Sequence, residues 1–337
     1  MTSASALALP IAFALLLDAA VAEPPNRFHP VAWFGSLVAA FDREWSRPRL
    51  AGLAVAAALP VVAAGLVVLA VFAATRLHPV AGTVAAGLAV FATTSVRMLS
   101  AKAAEVVAAT ETDLPTARER LRWLAGRDAA DLSPGEVRSA AVESAAENLA
   151  DGVVAPLLAF ALLAPVSPSL GAGAAAWVKA VNTLDSMLGY RETPHGTASA
   201  RLDDLVMWIP ARASALLLAL AALAPGALPD GARWADAPPS PNSGWPMATL
   251  AAVVDARLEK PGVYVLNSDA ALPSVESSRE GVRVVSAAGV LAFVLAGALA
   301  VLLTQFLASG ESVSLATFAG VGAMTAPTPA REVVAWS

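Results

Sequence analysis

No charged residue interrupts the chain across residues 51–74 or across residues 284–307. Each run is long enough to cross a bilayer, whose hydrocarbon core takes about 20 consecutive apolar residues as a helix. In lipid every backbone polar group must bond within the protein, so such segments fold as helices. Further apolar stretches at 4–22, 80–96, 153–181 and 205–223 repeat the pattern. One buried helix of a soluble domain does not explain them, because 57% of the 337 residues are hydrophobic and 15% charged, against about 25% charged in soluble domains. The expected fold is all-α, a polytopic integral membrane protein of the cell membrane with about five to seven membrane helices and interfacial polar loops. Residues 1–337 read as one membrane domain.

The first run ends in Ala20-Val21-Ala22 before Glu23, as a signal-peptide cleavage site would. Asp18 lies inside it and no basic residue precedes it, so an uncleaved first membrane helix is expected. Runs 51–74 and 80–96 are joined by five residues, Thr75 to Pro79, which forces an antiparallel hairpin. Pro60 is a candidate kink in the first arm. The main polar segment, 97–152, holds Arg97, Lys102, Arg118, Arg120, Arg122, Arg127 and Arg138, and the positive-inside rule places it in the cytoplasm. Within it Ser133-Pro134-Gly135-Glu136 reads as a capping box with Pro at the first helical position. A helix is expected over 134–150, with Gly152 as its C-cap.

Beyond that helix the sequence leaves two topologies open. The stretch 153–181 is broken at Pro165-Val166-Ser167-Pro168, as one kinked crossing or as two short membrane-buried arms. A single crossing puts the basic segments on one side and 182–204 on the other. If it enters and returns, 182–204 joins the cytoplasmic segments, and 226–283 does so only where 205–223 is re-entrant as well. A Pro-rich loop fills 225–246 within a polar segment 225–283, and a short amphipathic helix is expected over 247–258, stopped by Pro261-Gly262.

The chain has no Cys and three His, so thiolate chemistry is absent and any metal should be a hard ion held by oxygen. A net charge of -5 argues against nucleic acid as a partner. Glu143, Glu147 and Asp151, spaced four apart, stack on one helical face. Like charges at that spacing repel, so they form either an Mg²⁺ or Mg-nucleotide site, with Asn148 adding an amide oxygen, or a solvated acidic face. Asn182, Asp185, Tyr190, Arg191, Arg201, Asp203 and Asp204 share one polar window between apolar stretches, where ionisable groups are usually functional. The turn from Pro239 to Pro246, containing Asn242, Ser243 and Trp245, leads into a helix whose free N–H groups could seat an anion. His29 by spacing alone reads as structural. A Gly-x-x-x-x-Gly-Lys-Ser/Thr loop is missing, so any ATP is not held by a P-loop.

Four ordered blocks resemble the CobD/CbiB family, adenosylcobinamide-phosphate synthase of cobalamin biosynthesis. They are Glu143 to Pro156 (ESAAENLADGVVAP), Lys179 to Arg191 (KAVNTLDSMLGYR), Ala200 to Leu205 (ARLDDL) with Ile209 to Arg212 (IPAR), and Pro239 to Pro246 (PSPNSGWP). Leu17-Asp18 and His29-Pro30-Val31 with Gly35 fit the N-terminal pattern. The family usually has Gly-Asp-Pro where this chain has Ala22-Glu23-Pro24, and the segment from Glu192 to Ser199 and the tail beyond Tyr264 depart from it.

The resemblance implies a membrane ligase that joins aminopropanol, usually as its O-phosphate, to the propionate carboxylate of adenosylcobyric acid, with Mg²⁺ and ATP. An unreactive carboxylate has to be activated, and developing phosphate charge needs Mg²⁺ and Arg. The block positions then suggest roles: Glu143, Glu147, Asp151, Asp203 and Asp204 as the Mg²⁺-nucleotide region, and Arg191 and Arg201 as phosphate clamps. Asn182, Asp185 and Tyr190 would orient carboxylate and amine. His29, Asn148, Asn242, Ser243 and Trp245 would contact substrate. Expected partners are the corrinoid, the amino alcohol, membrane lipid and other membrane-bound cobalamin-assembly enzymes. The alternative is a polytopic transporter or membrane signalling protein of the same family without catalysis.

Overall fold

A computed structural model describes residues 7–322 other than 127, 191 and 192, with side chains as far as Ser309. Helix α1 (Ala8–Val21) leads through a 3₁₀ turn (Asn26–Phe28) into α2 (Pro30–Ala39). The long α3 (Pro48–Leu77) runs through Pro60 and turns at His78 alone into α4 (Pro79–Thr93), which gives the expected hairpin. His78 caps α4 through Nδ1, which accepts from Val80 N–H at 3.2 Å. Next come α5 (Arg97–Thr112) and α6 (Leu114–Leu121). Proline at the start of α2, α3, α4 and α6 presets φ and costs no intrahelical bond there.

Helix α7 (Pro134–Leu149) begins on the expected capping box, Ser133 Oγ accepting from Glu136 N–H and Glu136 Oε2 from Ser133 N–H. Its end differs from expectation. Gly152 is no C-cap, because a π turn (Ala150–Val154) carries the helix on into α8 (Ala155–Leu163). After Ala164 to Ser167 the chain folds back as α9 (Pro168–Leu188), packed along α8. The break at Pro165 to Pro168 thus joins two arms of a hairpin. Gly173 of α9 lies against Val68 of α3 with no room for a side chain, and Gly87 of α4 against Pro10 and Phe13 of α1. Such small residues let membrane helices approach closely.

The apolar helix expected over 205–223 is α11 (Trp208–Ala221), and it is preceded by α10 (Thr197–Val206), the two bent by 48° at Met207. A short α12 (Ala227–Ala232) follows, then α13 (Gly244–Val253). The helix expected as amphipathic over 247–258 is corrected here: α13 is buried on nearly every side against α11 and α12, and residues from Leu258 are not helical. They form a hairpin of β1 (Leu258–Lys260) and β2 (Tyr264–Leu266), Leu258 opposite Leu266. Pro261-Gly262 makes its turn, with Gly262 at φ +74°, a conformation open to glycine. Helix α14 (Val275–Gly322) closes the described chain and packs on α1, α5, α7, α8 and α11.

Among the described residues four helices are long and apolar enough to cross a membrane, five if the bent α10–α11 pair counts as one. Five reaches the lower end of the expected five to seven, and four falls one short. Helix α1 has 14 residues, below a full span. Its Asp18 nevertheless builds it into the bundle, accepting from the backbone N–H of Val96 and Arg97 at 3.1 Å each and so capping α5. One apolar core runs through α1, α4, α7, α8, α11, α13 and α14.

Candidate functional site

Lys179, Asn182 and Asp185 follow one another at one-turn spacing along α9 and therefore share a face. The π turn brings Asp151 opposite that face. Lys179 and Asp151 interact electrostatically, and Asn182 engages the carboxylates of both Asp151 and Asp203. Asp203 and Asp204 arrive from the end of α10, just before the 48° bend, and Asp203 lies within the field of Asp151, Asp185 and Asp204. Three elements thus deliver four carboxylates, one amide and one ammonium to one place. Asp203 Oδ1 is buried there without a hydrogen-bond partner.

The π turn fits this position. It passes one extra residue into a helix that otherwise runs straight, a feature frequent at functional sites. The Gly152 carbonyl accepts from Ser95 N–H at 3.1 Å, which ties the turn to the joint between α4 and α5. A Cβ on Gly152 would stand 3.9 Å from Lys179 Nζ, so the ammonium lies beside the turn. Glu23 and His29 approach Lys179 from the N-terminal side. His29 Nε2 is 3.8 Å from Glu23 Oε2, and Nδ1 accepts from Val31 N–H at 3.2 Å, capping α2. Burial holds the His29 imidazole below its usual pKa; Glu23 opposes that effect and Lys179 adds to it.

The other candidates are placed differently. Glu143 is fully buried two turns before Asp151, accepting from Ser139 Oγ at 2.7 Å and from Tyr264 OH at 2.9 Å. Ser139 Oγ also accepts from Glu259 N–H at 2.7 Å, so this network fastens the β hairpin onto α7. Glu147 is half-buried one turn before Asp151, and Asn148 donates to the Ser144 carbonyl of its own helix at 2.8 Å. Tyr190 is 61% exposed and Arg201 is exposed. Arg191 lies outside the described residues.

Asn242 uses both ends of its amide on the fold: Nδ2 donates to the Asp204 carbonyl at 2.8 Å and Oδ1 accepts from Arg212 Nη1 at 3.3 Å. The Arg212 guanidinium lies over the rings of Trp208 and Trp245, at 4.2 and 4.8 Å from their centroids, a cation–π arrangement. Ser243 is buried and its N–H donates to Ser240 Oγ at 3.4 Å. The loop expected to seat an anion therefore locks the Asp203–Asp204 segment in place. Trp245 Nε1 remains buried without a partner.

Lys179 is the residue that the sequence reading left out. The signal was a lysine inside the apolar stretch 153–181, where an ionisable group is expensive and needs a partner.

Among the described residues no three His, Cys, Asp or Glu are drawn together as a ready-made metal cage. Mg²⁺ does not require one, since it keeps several waters and commonly takes one or two carboxylates besides substrate phosphates. The hard oxygen donors of Asp151, Asp203, Asp204 and Asn182, with the unbonded Asp203 Oδ1, fit that ion.

Comparison with known proteins agrees with the motifs. The family model for CobD/Cbib protein matches residues 11–288. "Probable cobalamin biosynthesis protein CobD" of Methanothermobacter thermautotrophicus is 37% identical over 262 residues, covering 75% of this chain and 84% of the relative. A protein of the same description from Methanothrix thermoacetophila is 34% identical, over 86% of this chain and 96% of its own. "Cobalamin biosynthesis protein CobD" of Klebsiella pneumoniae is 38% identical, over 74% and 82%. No solved structure matches the chain.

Proposed function

This chain belongs to the CobD/CbiB family and has a role in cobalamin biosynthesis, and from that premise we propose that it is an amide-forming ligase of the cell membrane. It would join the propionate carboxylate of adenosylcobyric acid to (R)-1-amino-2-propanol or its O-phosphate, giving adenosylcobinamide or its phosphate. The observation that supports this reading is the buried, unbonded Asp203 Oδ1 within the group formed by Asp151, Lys179, Asn182, Asp185 and Asp204.

Amide formation needs an activated carboxylate, an amine held beside it, and a group to receive the proton that the amine loses. Mg-ATP, when bound, would supply the activation, with Asp203 and one of its neighbours Asp151 or Asp204 holding the cation. Lys179 is the cation next to these acids and would draw in the substrate carboxylate. Asn182, bonded to the carboxylates of Asp151 and Asp203, would hold those two acids in place, and Asp185 on the same face would hold the ammonium of the amino alcohol and take its proton. Enclosure within the helices keeps water away and strengthens each of these interactions.

The test is to incubate purified protein with adenosylcobyric acid, aminopropanol phosphate and Mg-ATP. Amide product is expected from the wild type, falling at least about 10²-fold in Asp203→Asn and Asp151→Asn while both variants still insert. Absence of product from the wild type, together with measurable flux in proteoliposomes, would overturn the proposal in favour of a transporter.

A further inference from the structure

A cavity of about 450 Å³ lies between α2, α3, α4 and α9 and reaches Lys179. Its walls include Trp33, Leu66, Leu88, Ala92 and Ala176, and Lys179 is the one charged residue in its lining. The polar atoms at its edge are already engaged. Thr93 Oγ1 bonds the Ala89 and Val90 carbonyls, Thr183 Oγ1 bonds the Lys179 carbonyl at 2.8 Å, and the Lys179 ammonium interacts with Asp151 and Glu23. Apart from the Lys179 ammonium, no polar side chain in the lining is left to hold a phosphate, an amide or an amino alcohol. An occupant gains only from its hydrocarbon.

Location says where that hydrocarbon comes from. The α3 wall lies near the middle of a 30-residue span that contains an 18-residue window of mean hydropathy 2.7, of which only 17% is buried in the protein. Its lining residues Val62 and Leu66 are 53% and 64% exposed, and they adjoin Val61 and Leu69, which face outward from the same helix. The cavity is thus continuous with the surface that α3 presents to the bilayer. We propose that it is a binding site for one acyl chain of a membrane phospholipid, which enters beside α3 and packs its far end against the Lys179 stem. The chain closes the apolar side of the carboxylate group, so water reaches that group only from the polar end.

The experiment uses the full-length protein reconstituted with phosphatidylcholine carrying a diazirine near the end of one acyl chain. Irradiation followed by peptide mass spectrometry should place lipid adducts on residues 88–93 and 176–183. Ala176→Phe, which fills the cavity, should lower those adducts about tenfold, as a loss of one decade in affinity would, and leave adducts at Val61 and Leu69 unchanged. If Ala176→Phe does not insert, Ala92→Leu narrows the same space from α4. Adducts confined to the outward α3 residues would overturn the proposal, as would inner-wall adducts that neither substitution reduces. So would cross-links from the inner wall to a second protein chain, which would mean that a helix of another molecule fills the space. None of these readouts depends on ligase activity, so failure here is distinct from failure of the proposed reaction.

Discussion

His29 shows how a single side chain links the helix start to the site. Its Nδ1 can accept from Val31 N–H only while it carries no proton, which agrees with burial holding its pKa below the ordinary 6.5. Because the folded value is the lower one, the cap's contribution is complete above pH 6.5 and is lost as pH falls through the folded value. Protection of peptides spanning residues 29–36 against hydrogen exchange, taken relative to the intrinsic rate at each pH, should therefore fall between neutral and mildly acidic pH. His29→Asn keeps a capping oxygen that does not titrate, and should abolish that dependence. A second prediction concerns Glu143, which spacing had grouped with the metal ligands. As acceptor for Ser139 and Tyr264 it should act in stability: Glu143→Gln replaces one acceptor oxygen by a donor and should cost about 1–3 kcal/mol, the range for a buried polar group left unsatisfied. Thermal unfolding in detergent checks this, and a double-mutant cycle with Tyr264→Phe should reveal coupling. The sequence could not separate Glu143 from Asp151, because the four-residue spacing sets a face on one helix and says nothing of what that face meets. The partner of Glu143 lies 121 residues away.

Within single elements, local chemistry was legible wherever the signal is itself local. The Ser133 to Glu136 capping box and the hairpin between α3 and α4 follow from a few adjacent residues. The π turn does not. Asp-Gly after a helical pattern is an ordinary stop signal, and only the packing of residues 150–154 against α8, α9 and α11 carries the helix through. The β hairpin was missed for a similar reason: three-residue strands give too short a pattern, and their support comes from Ser139 on α7. Gly152 tests the π turn directly. Gly152→Ala places a methyl group in ordinary contact with Lys179 Nζ and should leave activity near normal. Gly152→Leu must displace the ammonium, and a shift of about 1 Å in a catalytic group costs about 10²-fold. Amidation rates of the two variants, both checked for insertion, would measure it; equal rates would show that the position of Lys179 does not matter.

Taken as one molecule, the fold favours one of the two topologies that the sequence left open. The α8–α9 hairpin brings the chain back from Ala164 to Ser167, so Asn182 and Asp185 meet Asp151 again. A second return follows: α11 leads away from Asp203–Asp204, and by Asn242 the chain is back, bonded to the Asp204 carbonyl. Both apolar stretches therefore lead away and come back, so the polar blocks around Asp151, Asn182 to Asp204, and Asn242 meet in one place. Hydropathy alone could not decide this, since a kinked crossing and a hairpin of short arms have the same composition. Because the chain has no cysteine, single-cysteine labelling gives a background-free test. Arg122→Cys, His195→Cys and Asp236→Cys should all react with an impermeant maleimide added from the same side of inverted membrane vesicles. The positive-inside rule, applied to the arginines of 97–138, predicts that this side is the cytoplasmic one. Reaction of His195→Cys from the opposite side would restore the single crossing of 153–181. It would also separate Asn182 and Asp185 from Asp151 by the thickness of the bilayer, about 30 Å, leaving no common site for a carboxylate and an amine to meet.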